Sequence, residues 1–294
     1  MRLRIGKDFI VRGLLGLAVS AGLAGSLALA DLLARPVAAG APSFEGSSDG
    51  DWCDDDDERF GSARHCDVRE ITLPASGAYN VDARPNGGVR VRGVEGGEAR
   101  LQVKVTATAE TQEEARALAG RVRIETAGTI RAAGPERSGH GRGWSVSYRL
   151  EVPRRSDLRL EADNGGLSVE DVVGRLEMQT MNGGLHLDGV GGRVHGQTRN
   201  GGLHVSLSGE EWEGEGLDLR TTNGGVHLTI PAEYNARLES GTVNGGVHSD
   251  LPVTGRVTGG RGHRPGGRIE TDLGRGGSLL HLETTNGGLH VGRR

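Results

Sequence analysis

Leu176-Glu177-Met178-Gln179-Thr180-Met181-Asn182-Gly183-Gly184-Leu185-His186-Leu187 is answered 18 residues later by Val194-His195-Gly196-Gln197-Thr198-Arg199-Asn200-Gly201-Gly202-Leu203-His204-Val205. Apolar and polar residues alternate on both sides of each Asn-Gly-Gly, the pattern of two short strands, each with one buried face, joined at a corner. Outward from this pair the triplet recurs at Asn86, Asn164, Asn223, Asn244 and Asn286, and from Asn164 onward the steps are 18, 18, 23, 21 and 42 residues. The last step is twice 21, and Pro265-Gly266-Gly267 reads as a worn copy at its midpoint. Such a short period implies stacked supersecondary units rather than one globular core.

Counted back from each Asn, positions minus six, minus four and minus two hold Leu158, Leu160, Ala162; Leu176, Met178, Thr180; Val194, Gly196, Thr198; Leu217, Leu219, Thr221; Leu238, Ser240, Thr242; and Leu280, Leu282, Thr284. Asn-Gly is also the strongest two-residue hairpin signal, so an antiparallel meander competes. A meander does not require the same inward residues at the same offset from every corner. A parallel coil does, because each strand lies on its equivalent about 4.8 Å away. The expected fold is therefore all-β, a parallel β-solenoid of about 20-residue coils. In it Asn164, Asn182, Asn200, Asn223, Asn244 and Asn286 stack as the structural corner, and Leu176, Val194, Leu217, Leu238 and Leu280 share one buried column. The small residues at minus two and minus four fit a narrow interior.

Composition agrees: 294 residues carry 52 Gly and only 3% aromatics. Formal net charge is −4 and the Arg residues are scattered among carboxylates, which excludes nucleic acid as the expected partner. Arg2, Arg4, Lys7 and Arg12 precede an uncharged apolar stretch from Gly13 to Ala30, the pattern of a secretory signal peptide over residues 1–30, with a later cut near Ala39 as the variant. The stretch is long enough to remain as an anchor, so membrane contact is expected only if this segment is retained. Residues 31–67 read as a linker and an acidic loop, 68–156 as N-terminal strands with an inserted helix, and 157–294 as the repeat. Cys53 and Cys66, the only cysteines, flank that acidic loop, and in an exported chain they read as a disulfide. Calcium is the alternative for Asp49, Asp51 and Asp54 to Asp57, but the Gly and terminal Glu of an EF-hand loop are missing. Thr111-x-x-Glu114 is a capping box opening a short helix near 110–119, closed by Gly120, which would cover an exposed end of the stack.

The run from Tyr148 to Leu160, the Gly174-Arg175-Leu176 and Gly192-Arg193-Val194 joints, the Glu113–Ala119 helix and the closing Thr284-Thr285-Asn286-Gly287-Gly288-Leu289-His290 resemble the bacterial domain-of-unknown-function 4097 family, which also carries an adhesin label. The resemblance runs from about Val68 to Val291. It implies the repeat fold and offers no catalytic residue to carry over.

Parallel β-helices host polysaccharide-cleaving enzymes, whose chemistry needs paired carboxylates on adjacent rungs. Position minus three reads Glu161, Gln179, Gln197, Arg220, Gly241, Glu283, and minus one reads Asp163, Met181, Arg199, Thr222, Val243, Thr285; neither pairs acids on neighbouring coils. Past Tyr148 only Trp212 and Tyr234 could serve as aromatic sugar platforms. No catalytic residue and no cofactor are expected. Position plus four repeats one reactive side chain: Ser168, then His186, His204, His227 and His248, then Ile269 in the worn copy, and finally His290. A repeat-borne surface ladder and a Zn²⁺ or Cu²⁺ site are the two readings of that column. The expectation is an exported, non-enzymatic scaffold of the periplasm or cell surface, contacting an envelope polymer or another protein. A His-ladder metal binder is the alternative, and a polysaccharide-active enzyme comes lower.

Overall fold

The computed structural model of the chain describes residues 52–53, 62–136, 142–251 and 266–294, all within one structural unit. The expected signal peptide, the acidic run Asp54–Glu58 and Pro265 lie outside the described residues. The N-terminal part supplies β1 (Ala63–Leu73), β2 (Ala78–Asp82), β3 (Val89–Val94), β4 (Ala99–Ala109), α1 (Gln112–Gly120), β5 (Arg123–Glu125), β6 (Thr129–Ala133) and β7 (Gly143–Pro153). Each Asn-Gly-Gly from Asn164 then separates two strands: β8 (Asp157–Asn164) from β9 (Leu167–Glu170), β10 (Val173–Asn182) from β11 (Leu185–Asp188), β12 (Gly191–Asn200) from β13 (Leu203–Ser206), and β14 (Gly216–Asn223) from β15 (Val226–Ile230). The pattern continues with β16 (Ala236–Asn244) and β17 (Val247–Ser249), is interrupted by β18 (Gly267–Leu273), and closes with β19 (Leu279–Asn286) and β20 (Leu289–Arg293).

These strands form two ten-stranded mixed sheets, one in the order β1-β4-β7-β3-β9-β11-β13-β15-β20-β17, the other β18-β16-β19-β14-β12-β10-β8-β2-β6-β5. β10 and β11, on either side of Asn182-Gly183, lie in different sheets, so the meander alternative is not what this chain builds. Repeat strands pair in parallel with like offsets opposed, as in Leu176↔Val194, Thr180↔Thr198 and Asn182↔Asn200. Pairing is antiparallel at β1/β4/β7, β5/β6 and β16/β18. The inward residues of both sheets meet in one core. Leu158, Leu176, Val194, Leu217, Leu280 and Leu238 lie buried along one column of it.

Three expectations need correction. Gly266-Gly267 does not restore a coil: β18 runs antiparallel along the outer edge of β16, and the coil beat stops there. Stack order also departs from chain order, because β19 lies between β14 and β16 and β20 lies between β15 and β17. The helix behaves as its capping box predicts, Thr111 Oγ1 accepting from the Glu114 amide at 3.2 Å. It packs across β1 and β4 through buried Ala115, Leu118 and Ala119, so it covers a sheet face rather than a strand edge. Arg69 of β1 donates to the carbonyls of Ala119 (3.0 Å) and Val122 (2.7 Å), closing its C-terminal end. Among the described residues no helix is long and apolar enough to cross a membrane.

Candidate functional site

The corner is the most regular feature. Asn182 Nδ2 donates to Asn164 Oδ1 at 2.8 Å, Asn200 to Asn182 at 2.8 Å, Asn223 to Asn200 at 2.9 Å, Asn286 to Asn223 at 2.8 Å and Asn244 to Asn286 at 2.8 Å, while Asn164 reaches back to Asn86 at 3.0 Å. Seven amides thus form one polarised chain along the stack. A Cβ on Gly183 would overlap the carbonyl oxygen of Gly165, and one on Gly201 that of Gly183. Close approach between rungs is therefore what requires glycine at the first corner position. The Thr at minus two is not merely small: its hydroxyl donates across the rung to that Gly carbonyl, Thr180 to Gly165 (2.9 Å), Thr198 to Gly183 (2.7 Å), Thr221 to Gly201 (2.8 Å), Thr284 to Gly224 (2.7 Å) and Thr242 to Gly287 (2.7 Å).

On the outer face of the first sheet the plus-four residues align in register as Arg90, Ser168, His186, His204, His227, His290 and His248. His227 and His248 are not neighbours, since His290 comes between them. Successive ring centroids are 6.2, 4.9, 5.8 and 5.0 Å apart, with His204 on His227 and His248 on His290 stacked nearly face to face. Burial between its neighbours, reinforced by the charges of His227 and His186, holds His204 below the ordinary imidazole value. Among the described residues no three His, Cys, Asp or Glu side chains converge to hold a metal.

The column runs into an open groove of about 390 Å³ lined by Trp52, Arg90, Ser168, Arg149, His186 and His204. The Arg149 guanidinium lies 4.0 Å from the Trp52 ring centroid, and Lys104 Nζ donates to the Trp52 carbonyl at 3.0 Å. Cys53 is bonded to Cys66 of β1, so the disulfide pins Trp52 beside the sheet. Trp212 and Tyr234, the aromatics weighed as sugar platforms, are buried instead.

A second cluster, on the outer face of the other sheet, escaped the sequence reading. Position minus five lines up Arg159, Glu177, His195, Asp218, His281 and Glu239. Asp218 faces two imidazoles, His281 Nδ1 at 2.9 Å and His195 Nδ1 at 3.4 Å, with Arg220 at 3.2 Å on the same carboxylate. Gln197 Nε2 lies 2.9 Å from His195 Nε2. Reading this offset beside minus three and minus one reveals the alignment. The cluster interleaves acids with bases, which makes it a charge-paired surface.

No family model and no curated protein matches the chain, so the resemblance to the domain-of-unknown-function 4097 family is not confirmed. Solved structures similar to it include a putative cell adhesion protein from Clostridium sporogenes (10% identity, 78% of this chain and 100% of that one, TM-score 0.39). A putative adhesin from Bacteroides fragilis (10% identity, 78% and 97%, TM-score 0.30) and a putative lipid binding protein from Parabacteroides distasonis (10% identity, 78% and 96%, TM-score 0.29) are also similar.

Proposed function

We propose that this protein is an exported, non-enzymatic β-solenoid scaffold whose first sheet binds an acidic polysaccharide of the cell envelope. The observation that carries the reading is the column from Arg90 through Ser168 and five imidazoles to His248, spanning seven consecutive strands of one face. Its ring spacing of 4.9 to 6.2 Å is comparable with the length of one sugar unit, so a linear polymer can meet a like contact at every rung. Trp52 and Arg149 at one end add an aromatic platform and a cation suited to a carboxylated ring. The disulfide favours an oxidising compartment, in keeping with the N-terminal apolar stretch.

Calorimetric titration with a polyuronate, with uncharged dextran as control, tests this on the purified chain. Binding to the polyuronate should weaken about tenfold or more when His204, His227 and His290 are all changed to Ala, since each polar contact contributes about 1 kcal/mol. Affinity for neither polymer, or undiminished affinity in a triple variant whose urea midpoint is normal, overturns the proposal.

A further inference from the structure

The Asn ladder has two ends, and they differ chemically. At six corners the first Gly amide is tied to the next rung: Gly87 N–H donates to the Asn164 carbonyl (3.2 Å), Gly165 to Asn182 (3.1 Å), Gly183 to Asn200 (3.0 Å), Gly201 to Asn223 (2.9 Å), Gly224 to Asn286 (2.9 Å) and Gly287 to Asn244 (3.1 Å). Asn244 is the terminal rung. Among the described residues the Gly245 amide has no backbone acceptor, and no Thr hydroxyl reaches its carbonyl. Asn244 is exposed, and its Oδ1 closes the polarised chain with no donor upon it among the described residues.

An Asn-Gly peptide can cyclise when the Gly nitrogen turns toward the Asn side chain. That nitrogen attacks Cγ, a C–N bond forms, and the Cγ–Nδ2 bond breaks to release ammonia, which leaves with the displaced proton. Water then opens the five-membered imide at either carbonyl, giving aspartyl or isoaspartyl. Water is the only co-reactant, and no oxidant is needed. Interior corners resist because the attacking amide is held in a rung and the leaving amide is bonded along the ladder. At Asn86 the amide nitrogen lies at the open donor end, but Gly87 N–H is tied. At Asn244 the nucleophile is the untied partner.

We infer that Asn244-Gly245 is a built-in deamidation site, the one corner of seven that converts to an acidic residue while the protein stays folded. The product replaces the terminal donor with a carboxylate facing Asn286 Oδ1, so the last ladder bond is lost and the end of the stack loosens.

Each corner Asn falls in its own tryptic peptide, Asn244 in Leu238–Arg256, which makes the test direct. The folded full chain is held in mildly alkaline buffer at body temperature, digested, and followed by mass spectrometry for acid products, with a parallel sample unfolded in urea. In the folded chain Asn244 should convert about 30-fold faster than interior corners, equivalent to about 2 kcal/mol of local opening at about 1.4 kcal/mol per tenfold. In urea all seven should converge. The Asn244→Gln variant should leave its peptide unmodified and the interior rates unchanged. Fastest conversion at Asn86 or at any interior corner, equal rates throughout the folded chain, or an Asn244 that reacts only in urea would overturn the inference.

Discussion

Thr221→Val separates two accounts of the corner. If the residue at minus two is small because the interior is narrow, Val is a close steric match, favours a strand and adds a buried methyl. The structure assigns the hydroxyl a job instead: Thr221 is 4% exposed, its Oγ1 donates to the Gly201 carbonyl at 2.8 Å, and no other donor meets that oxygen among the described residues. The same oxygen lies where a Cβ on Gly224 would go, so the neighbouring rung crowds one side of it. Leaving this partly buried carbonyl unpaired costs at most about 1–3 kcal/mol, against a gain of about 0.8 kcal/mol from the extra methyl. The net loss should be about 0.2–2 kcal/mol. Urea unfolding followed by far-ultraviolet circular dichroism reads it, with Thr221→Ser, which keeps the donor, as the companion variant. The first repeat supplies the converse experiment: Ala162 stands at minus two with no hydroxyl to offer Gly87, so Ala162→Thr should raise the midpoint. A Thr221→Val midpoint at or above the parent's would refute the hydrogen-bond account and restore the steric one.

Leu219→Ala should cost about 2–5 kcal/mol, since the side chain is fully buried. A Cβ on Gly196 would lie 2.6 Å from Leu219 Cδ2, so Gly196→Ala should be destabilising alone and partly compensating in the double variant; strict additivity of the two unfolding energies would contradict that packing. His204 has a folded pKa below its ordinary 6.5, so the unfolded chain binds more protons on acidification and stability falls as pH drops below about 6.5. His204→Gln should flatten that fall in a urea-midpoint series from about pH 8 to 5, and a parent midpoint that rises on acidification would count against the stacked column. Cys53→Ser removes a link between residues 13 apart, worth about 3 kcal/mol in the entropy model, and should expose Trp52 to fluorescence quenchers with the β spectrum unchanged. Loss of that spectrum would show the disulfide holding more than its own loop.

The corners and columns were legible because the parallel ladder repeats its demands. Each rung must place an amide on an amide and an apolar side chain on an apolar side chain, so equal offsets from Asn declare equal environments. That suffices for the buried column through Leu176 and for the outward imidazoles. It fails where one position serves two ends at once. Thr at minus two reads as a small inward residue, yet it is selected by a carbonyl on the neighbouring rung, a partner 15 residues away for Thr198 and 60 for Thr284. The Asp218 cluster was hidden for a related reason: His195 and His281 flank it in space but sit in repeats separated along the chain by two others.

Stack order was not legible at all, and the cause is the regularity that revealed everything else. A rung built on Asn-Gly-Gly offers the same edge to every other rung, so pairing by offset is indifferent to which strand pair lies on which. Connections decide it. From β15 the chain passes through Asn235, whose amide donates to the Glu210 carbonyl at 2.8 Å, and starts β16 one rung too far out. β18 then folds back on the outer edge of β16 and leaves its inner edge open. The final segment enters that gap, Ser278 Oγ bonding the Gly214 carbonyl at 2.7 Å on one side while Arg237 N–H meets the Ser278 carbonyl at 3.0 Å on the other. Connector length gives no warning, because the equally irregular passage from β13 to β14 leads onto the adjacent rung, where β14 pairs with β12. The last strands of the chain thus complete two ladders in each sheet, β14 and β16 on either side of β19, β15 and β17 on either side of β20. β16 and β17 therefore precede in sequence the strands that become their inner partners, and among the described residues Asn244 is the outermost corner of the stack.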